Sequence, residues 1–286
     1  MSRGVLSSSD WRRLSVRRTA RVVHGVLLAL LFLVGLGPML WLAKAAVTPT
    51  QDTLREPLSL WPNGFDFANL ATAWTRVEID KYFLNTVIVA AGAWFVQILV
   101  ATTAGYALSV LRPKYRKVLT GVVLATLFVP GVVLLVPLYL TVVDAELINT
   151  FWAVWLPAGA NAFNILLVQR FFDSLPREVF EAARVDGAGP YRLFWSVVLP
   201  MSRPILGVVS VFAVVAAWKD FLWPLLVLPD PDLQPLSVRL PALQQYVELD
   251  VFLAALAIST VIPVALFLVF QSLFLKGDAL SGAVKG

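Results

Sequence analysis

Glu181-Ala182-Ala183-Arg184-Val185-Asp186-Gly187, followed by Val197-Val198-Leu199-Pro200, sets a carboxylate, a pair of small residues and two helix breaks at fixed spacing. The chemistry open to such a run is docking. Pro176 suits the first turn of a helix, where its missing N–H would lack a partner anyway, and Asp173 and Ser174 precede it as capping candidates. A short amphipathic helix is therefore expected from Pro176 to Val185. Isolated helices under about 12 residues rarely hold in water, so this one needs a partner surface. Gly187, Gly189 and Pro190 stop it and reverse the chain, glycine supplying the positive φ that other residues resist. A second helix is expected from Tyr191 to Val198, with Pro200 and Pro204 interrupting it. Taken singly, Glu181 would be a solvated carboxylate paired with Arg184 or Arg177, worth a few tenths of a kcal/mol. The Ala pair, Asp186, Gly187, Leu199 and Pro200 at set distances point instead to recognition.

Other chemistries are poorly supplied. The chain has no cysteine and one histidine, His24, which removes thiolate ligands, a thiol nucleophile and any histidine cluster for zinc or proton relay. No G-x4-G-K-[ST] phosphate loop occurs, nor any Gly-Lys dipeptide, so ATP is not cradled by that route and no cofactor is expected on this chain. Asp230-Pro231-Asp232 could be an acidic metal motif of a membrane glycosyltransferase, but it is short and no second acid-base group is fixed near it.

The elements that carry these residues must be membrane helices. With 59% hydrophobic and 14% charged residues and a mean hydropathy of +0.79, the chain is too apolar for a soluble domain. About 20 apolar residues cross a bilayer, and six stretches qualify: Val22 to Ala43, Leu84 to Leu111, Val118 to Val143, Leu147 to Gln169, Ile205 to Leu228 and Val251 to Leu275. The expected fold is an all-α integral membrane protein with six transmembrane helices and a cytoplasmic helix between the fourth and fifth. Residues 1–21 would form a basic cytoplasmic arm, 22–275 the membrane domain with its loop at 170–203, and 276–286 a cytoplasmic tail. An inside N-terminus leaves about 17 of the 23 Arg and Lys in the cytoplasm, the strongest anchor being the hexamer Arg112 to Lys117. In a membrane protein the net charge of +5 reflects this asymmetry and does not imply nucleic acid. Ala43-Lys44-Ala45 resembles a signal-peptidase site, but the apolar run before it is too long for a signal peptide, so it reads as an uncleaved first span. Trp41, Trp61, Trp152, Trp155 and Trp223 fall near outer ends and read as belt residues at the headgroups, and Lys44 to Tyr82 reads as an outer surface cap.

Polar residues inside the spans are default pathway candidates: Asn85, Gln97, Thr102, Thr103, Asn161, Asn164, Lys219, Asp220, Ser259 and Thr260. Such a sparse amide lining suits a neutral, hydroxyl-rich substrate. The competing role for each is interhelical hydrogen bonding. Lys219 and Asp220 could instead cap a helix that ends before Pro224, and Pro130 and Pro263 are expected to kink their helices.

The pattern E-A-A-x3-G-x9-I-x-L-P, with Val197 in the Ile place, resembles the cytoplasmic loop of the permease subunits of bacterial ABC importers. Tyr82-Phe83-Leu84-Asn85-Thr86, Ala107-Leu108-Ser109, Pro130-Gly131, Pro137-Leu138-Tyr139-Leu140, Leu147-Ile148-Asn149-Thr150, Trp218-Lys219-Asp220-Phe221-Leu222-Trp223-Pro224 and Gly282-Ala283-Val284-Lys285-Gly286 resemble the maltose-type carbohydrate permeases, the smaller six-span partner in particular. Lys219 departs from that pattern, where Asn is commoner. The resemblance implies a coupling helix around Glu181 that lies in a cleft of a separate ATPase. It also implies a second permease completing a heterodimer, two ABC ATPase subunits that bind ATP and Mg, an extracytoplasmic solute-binding protein, and a bacterial plasma membrane location among lipid. A sugar or oligosaccharide is the expected cargo, and a polyol or a glycerol-phosphate compound the alternative. A phosphate would want Arg or Lys in the cavity, where only Lys219 qualifies. A self-contained channel or carrier would need a buried relay or a symmetric pore, and the spans offer neither clearly.

Overall fold

In the computed structural model, residues 14–59, 61 and 64–282 are described, and among them every regular element is helical. The chain divides into two compact units, residues 1–73 with 247–258, and residues 74–246 with 259–286.

The larger unit is built on α4 (Ile79–Tyr106), which a π-helical turn continues to Leu111. Against it pack α7 (Trp152–Gly159), α8 (Ala162–Asp173) and α12 (Arg203–Lys219). The approaches are close because small residues stand at the crossings. The Gly159 Cα faces the Val96 side chain and the Gly105 Cα faces Val168, each so near that an added Cβ would lie under 3.0 Å away. Apolar α5 (Arg116–Thr126) and α6 (Gly131–Asp144) meet at 104°, the break falling at Pro130 as its sequence suggests. Most of their large side chains, including Leu119, Val122, Val133 and Leu140, are exposed.

Three of the expected spans are shaped differently. Leu147 to Gln169 is not one helix: α7 ends at Gly159, Asn161 is extended at φ −85° and ψ 98°, and its side chain accepts the Asn164 N–H at 2.9 Å to start α8. Ile205 to Leu228 stops at Lys219, with Asp220 extended before the short α13 (Leu222–Val227). In a continuous helix the Pro224 ring would collide with the carbonyl of residue 220. Val118 to Val143 is the bent α5 and α6 pair. Among the described residues, two helices are long and apolar enough to cross a bilayer unaided, Arg18–Ala45 and Ile79–Leu111.

Asn85, a pathway candidate, is buried, and its amide nitrogen is engaged. Its Nδ2 donates to the carbonyls of Asp232 at 2.8 Å and Gln234 at 3.1 Å, while Thr86 Oγ1 accepts the Leu236 N–H at 2.9 Å. These bonds fasten the segment before α14 (Leu236–Leu243) to α4. Asp232 also pairs with Lys81 at 2.6 Å, and Asp230 accepts the Asp232 N–H at 2.9 Å, so the D-x-D pair is consumed in a turn and an ion pair. Asn85→Ala leaves two carbonyls without their donor. It should cost about 1–3 kcal/mol, read as a lower melting temperature of the solubilised protein; an unchanged melting temperature would deny the staple.

The smaller unit contains α1 (Leu14–Ala45), α2 (Thr50–Arg55), the start of α3 (Ala68–Arg76) and the first turns of α15 (Leu249–Gly282). Trp41 Nε1 donates to the Pro57 carbonyl at 2.6 Å, and Thr50 and Asp250 exchange bonds, the Asp250 N–H donating to Thr50 Oγ1 at 3.2 Å. The segment expected as a surface cap thus has helices and its own hydrogen bonds. α1 begins at Leu14, inside the expected arm, and α15 runs through Pro263 to Gly282. Residues 1–13 of the arm and 283–286 of the tail motif lie outside the described residues.

Candidate functional site

Two places in the larger unit gather the candidate residues. The first is the segment from Ser174 to Ser202. Its helix, α9 (Arg177–Val185), starts one residue later than expected, with Pro176 as the N-cap and no side-chain cap. The proposed caps are used elsewhere. Asp173 accepts Ser109 Oγ at 2.9 Å and pairs with Arg116 at 3.7 Å, and Ser174 Oγ donates to the Phe171 carbonyl. The basic hexamer therefore also joins α5 to the end of α8, a role that sequence reading missed.

α9 is held by one face. Phe180 is buried, with Ala183 beside it, in a core that includes Tyr106, Leu108, Phe172, Leu193 and Phe194. The other face carries Glu181, Ala182, Arg184, Val185 and Asp186, all exposed. Glu181 lines a small cavity of about 190 Å³ with Arg112, Asp173, Arg177 and Arg184, yet among the described residues it joins no ion pair within 4.0 Å. Neither Arg177 nor Arg184 takes it up as the spacing suggested, and the carboxylate remains open to a partner.

The helix ends in a Schellman turn. Gly187 adopts φ +78°, its N–H donates to the Arg184 carbonyl at 3.0 Å, and the Ala188 N–H donates to the Ala183 carbonyl at 2.9 Å. Gly189, read as a second positive-φ glycine, is instead extended at φ −70° and caps α10 (Pro190–Leu193). A π-helical turn, Phe194–Val198, and α11 (Leu199–Met201) continue it, so Pro200 does not break the helix. Pro200 sits in the first turn of α11, where a missing N–H is tolerated. The bend of 79° comes at Ser202, before α12. Leu199 is partly buried against the same core as Phe180, and Pro200 is exposed.

Tyr106, at the end of α4, clamps this segment: its hydroxyl donates to the Pro190 carbonyl at 2.8 Å and its ring lies 5.0 Å from that of Phe194. Val185 and Tyr191 flank the turn at 87% and 85% exposure, an apolar pair on an otherwise charged loop.

The second place is a cavity of about 290 Å³ bounded by α4, α6, α7 and α12. Asn161, Asp220, Gln97 and Trp223 line it; Asn85, Asn164 and Lys219 do not. Asn164 is buried, and its amide donates to Gln97 Oε1, while Gln97 Nε2 donates to the Ala158 carbonyl at 2.9 Å. These two amides bridge α4 to α8 and to the end of α7. Lys219 is exposed at the end of α12. Thr102 and Thr103 bond back to Ile98 and Leu99 within α4. Two of the five tryptophans read as belt residues are packing residues: Trp223 Nε1 donates to the Ala153 carbonyl at 2.9 Å, and the Trp155 indole lies over Gly92.

The family model for the binding-protein-dependent transport system inner membrane component matches residues 97–277. The chain is 36% identical to the diacetylchitobiose uptake system permease protein NgcG of Streptomyces coelicolor, over 90% of this chain and 86% of that one. It is 28% identical to the lactose transport system permease protein LacG of Rhizobium radiobacter, covering 94% and 98% of the two chains. Identity is also 28% with the sn-glycerol-3-phosphate transport system permease protein UgpE of Agrobacterium fabrum, covering 91% and 96%. In fold it is similar to a chain of a bacterial ABC transporter involved in the import of the acidic polysaccharide alginate, with a TM-score of 0.81 at 22% identity over 94% of this chain and 99% of that one. The chain, helical in all its described regular elements and lacking a phosphate loop, is matched over most of its length by permease subunits and not by enzymes: it belongs to the inner membrane components of binding-protein-dependent ABC transport systems.

Proposed function

We propose that the chain is one half of the translocation channel of an ATP-driven importer for a sugar or oligosaccharide. It pairs with a second, different permease and works with two ABC ATPase subunits and an extracytoplasmic solute-binding protein. ATP and Mg are bound by the ATPase subunits, and α9 is the coupling helix that docks on one of them. The observation that carries this reading is the build of α9 and the turn after it: a helix fixed by Phe180 on one face and ended by Gly187, with Glu181 and Val185 exposed on its other face and Tyr191 exposed at the start of α10, which Tyr106 clamps. A helix that binds one ATPase conformation better than another biases the membrane helices attached to it. Through Tyr106 and Pro190 the attachment runs directly to α4.

The six apolar stretches, three of them bent or broken, then make six spans in a bacterial plasma membrane, with both termini and the 170–203 loop cytoplasmic. The exposed apolar faces of α1, α5 and α6 are available to lipid and the second permease. Saccharide cargo is supported by the relatives named for diacetylchitobiose and lactose. Glycerol phosphate is the second reading, supported by the relative named for it.

The test is gentle purification of the tagged chain from its own membrane, with mass spectrometry of what accompanies it. An ATPase with a phosphate loop, a second permease and a solute-binding protein are expected; a chain recovered alone or as a homo-oligomer would overturn the reading.

A further inference from the structure

Among the described residues lining the larger cavity, one carries a formal charge, and it is negative. Asp220 stands where α12 ends, extended at φ −68° and ψ 122°, and joins Gln97, Asn161 and Trp223 in a lining otherwise rich in alanine. The carboxylate accepts one hydrogen bond, from the Trp223 N–H at 3.4 Å, the long limit for such a bond. Among the described residues it is in no ion pair, and its neighbour Lys219 is exposed and outside the lining.

The amides are largely spent. Gln97 donates to Ala158 and accepts from Asn164, and the Asn161 oxygen caps α8. Spare polar capacity is left at the Asn161 NH₂ and at Asp220. Small apolar walls and an indole suit the C–H faces of a sugar, and a carboxylate accepts from hydroxyl or ammonium groups. A phosphate or a second carboxylate would face an unneutralised like charge where water screens poorly.

We propose that Asp220 is a charge filter: the cavity passes neutral or cationic saccharides, amino sugars included, and rejects phosphorylated or uronate-bearing ones. The proposal rests on the importer reading above and narrows it, setting this chain apart from relatives named for sn-glycerol 3-phosphate and from the alginate importer. The competing role is a plain cap for α13. Asn caps a helix as well as Asp does, so Asp220→Asn removes the charge and keeps the cap.

Because the chain has no cysteine, Ala217→Cys sets its one thiol on the cavity wall. The intact complex in nanodiscs is treated at neutral pH with a cationic (trimethylammonium) or an anionic (sulfonate) methanethiosulfonate. Modification is read as added mass on this chain, and the rates are corrected for each reagent's reaction with free cysteine. The expected result is a faster cationic reaction, with a cation-to-anion rate ratio that falls on the order of tenfold in Asp220→Asn and is kept in Asp220→Glu. An unmoved ratio, or a thiol that reacts with neither reagent, would overturn the filter. Stimulation of ATP hydrolysis by the binding protein in the unmodified complex judges the importer reading separately: stimulation with an unmoved ratio sinks the filter alone, and no stimulation sinks the importer reading itself.

Discussion

Gly187→Val should abolish solute uptake while the chain still reaches the membrane in normal amount. At φ +78° the backbone is left-handed, and an L residue there costs about 1–2 kcal/mol, a β-branched one more. Nothing lies within 4 Å of a Cβ built on Gly187, so the penalty is one of backbone conformation, confined to the turn. Relieving it breaks the two Schellman bonds and swings Glu181 and Val185 away from the direction that Phe180 fixes, without disturbing the buried core. Gly187→Asn, which tolerates the left-handed region, should keep most of the uptake. Normal uptake by the valine variant would remove the coupling role from α9.

The second large effect lies far from that loop. A Cβ on Gly92 would stand 2.0 Å from Cε2 and 2.3 Å from Nε1 of Trp155, and the indole is itself wedged against Phe151 and Trp152, with ring centroids at 5.9 and 4.9 Å. Even Gly92→Ala should force α4 and α7 apart. Overpacking typically costs about 1–3 kcal/mol, and a contact this short belongs at the upper end or beyond, so folded yield and melting temperature should both drop sharply. The same substitution in a Trp155→Phe background should cost much less, since the smaller ring leaves room; this coupling is read from a double-mutant cycle. An unchanged melting temperature for Gly92→Ala would contradict the packing described.

What was legible in the sequence was what rests on local chemistry. Gly187 needs its positive φ, Pro130 marks a break, and the apolar runs give helices at 14–45, 79–106 and 249–282. The stop at Lys219 was half legible: Pro224 forbids helix through residue 220, and the same proline had already suggested a helix end there. Asn85 was misplaced because its partners lie 147 and 149 residues away, and no periodicity announces them. Asp173 looked like a cap by position but answers to Arg116 and Ser109, brought beside it only when α8 packs on α4. Trp155 sits near a span end, where belts form, yet a glycine on another helix decides its place. Of the pathway candidates Asn161 and Asp220 line the cavity, and residue type alone could not separate them from Lys219, which is exposed and outside the lining.

A photo-crosslinking residue in place of Val185 tests directly whether α9 docks on the ATPase, because that position is exposed near Glu181 and the Gly187 turn. On irradiation in native membranes the crosslinked partner should be a protein with a phosphate loop, and the yield should drop when Gly187→Val is added. A product with lipid alone, or with a protein that lacks a nucleotide site, would contradict it.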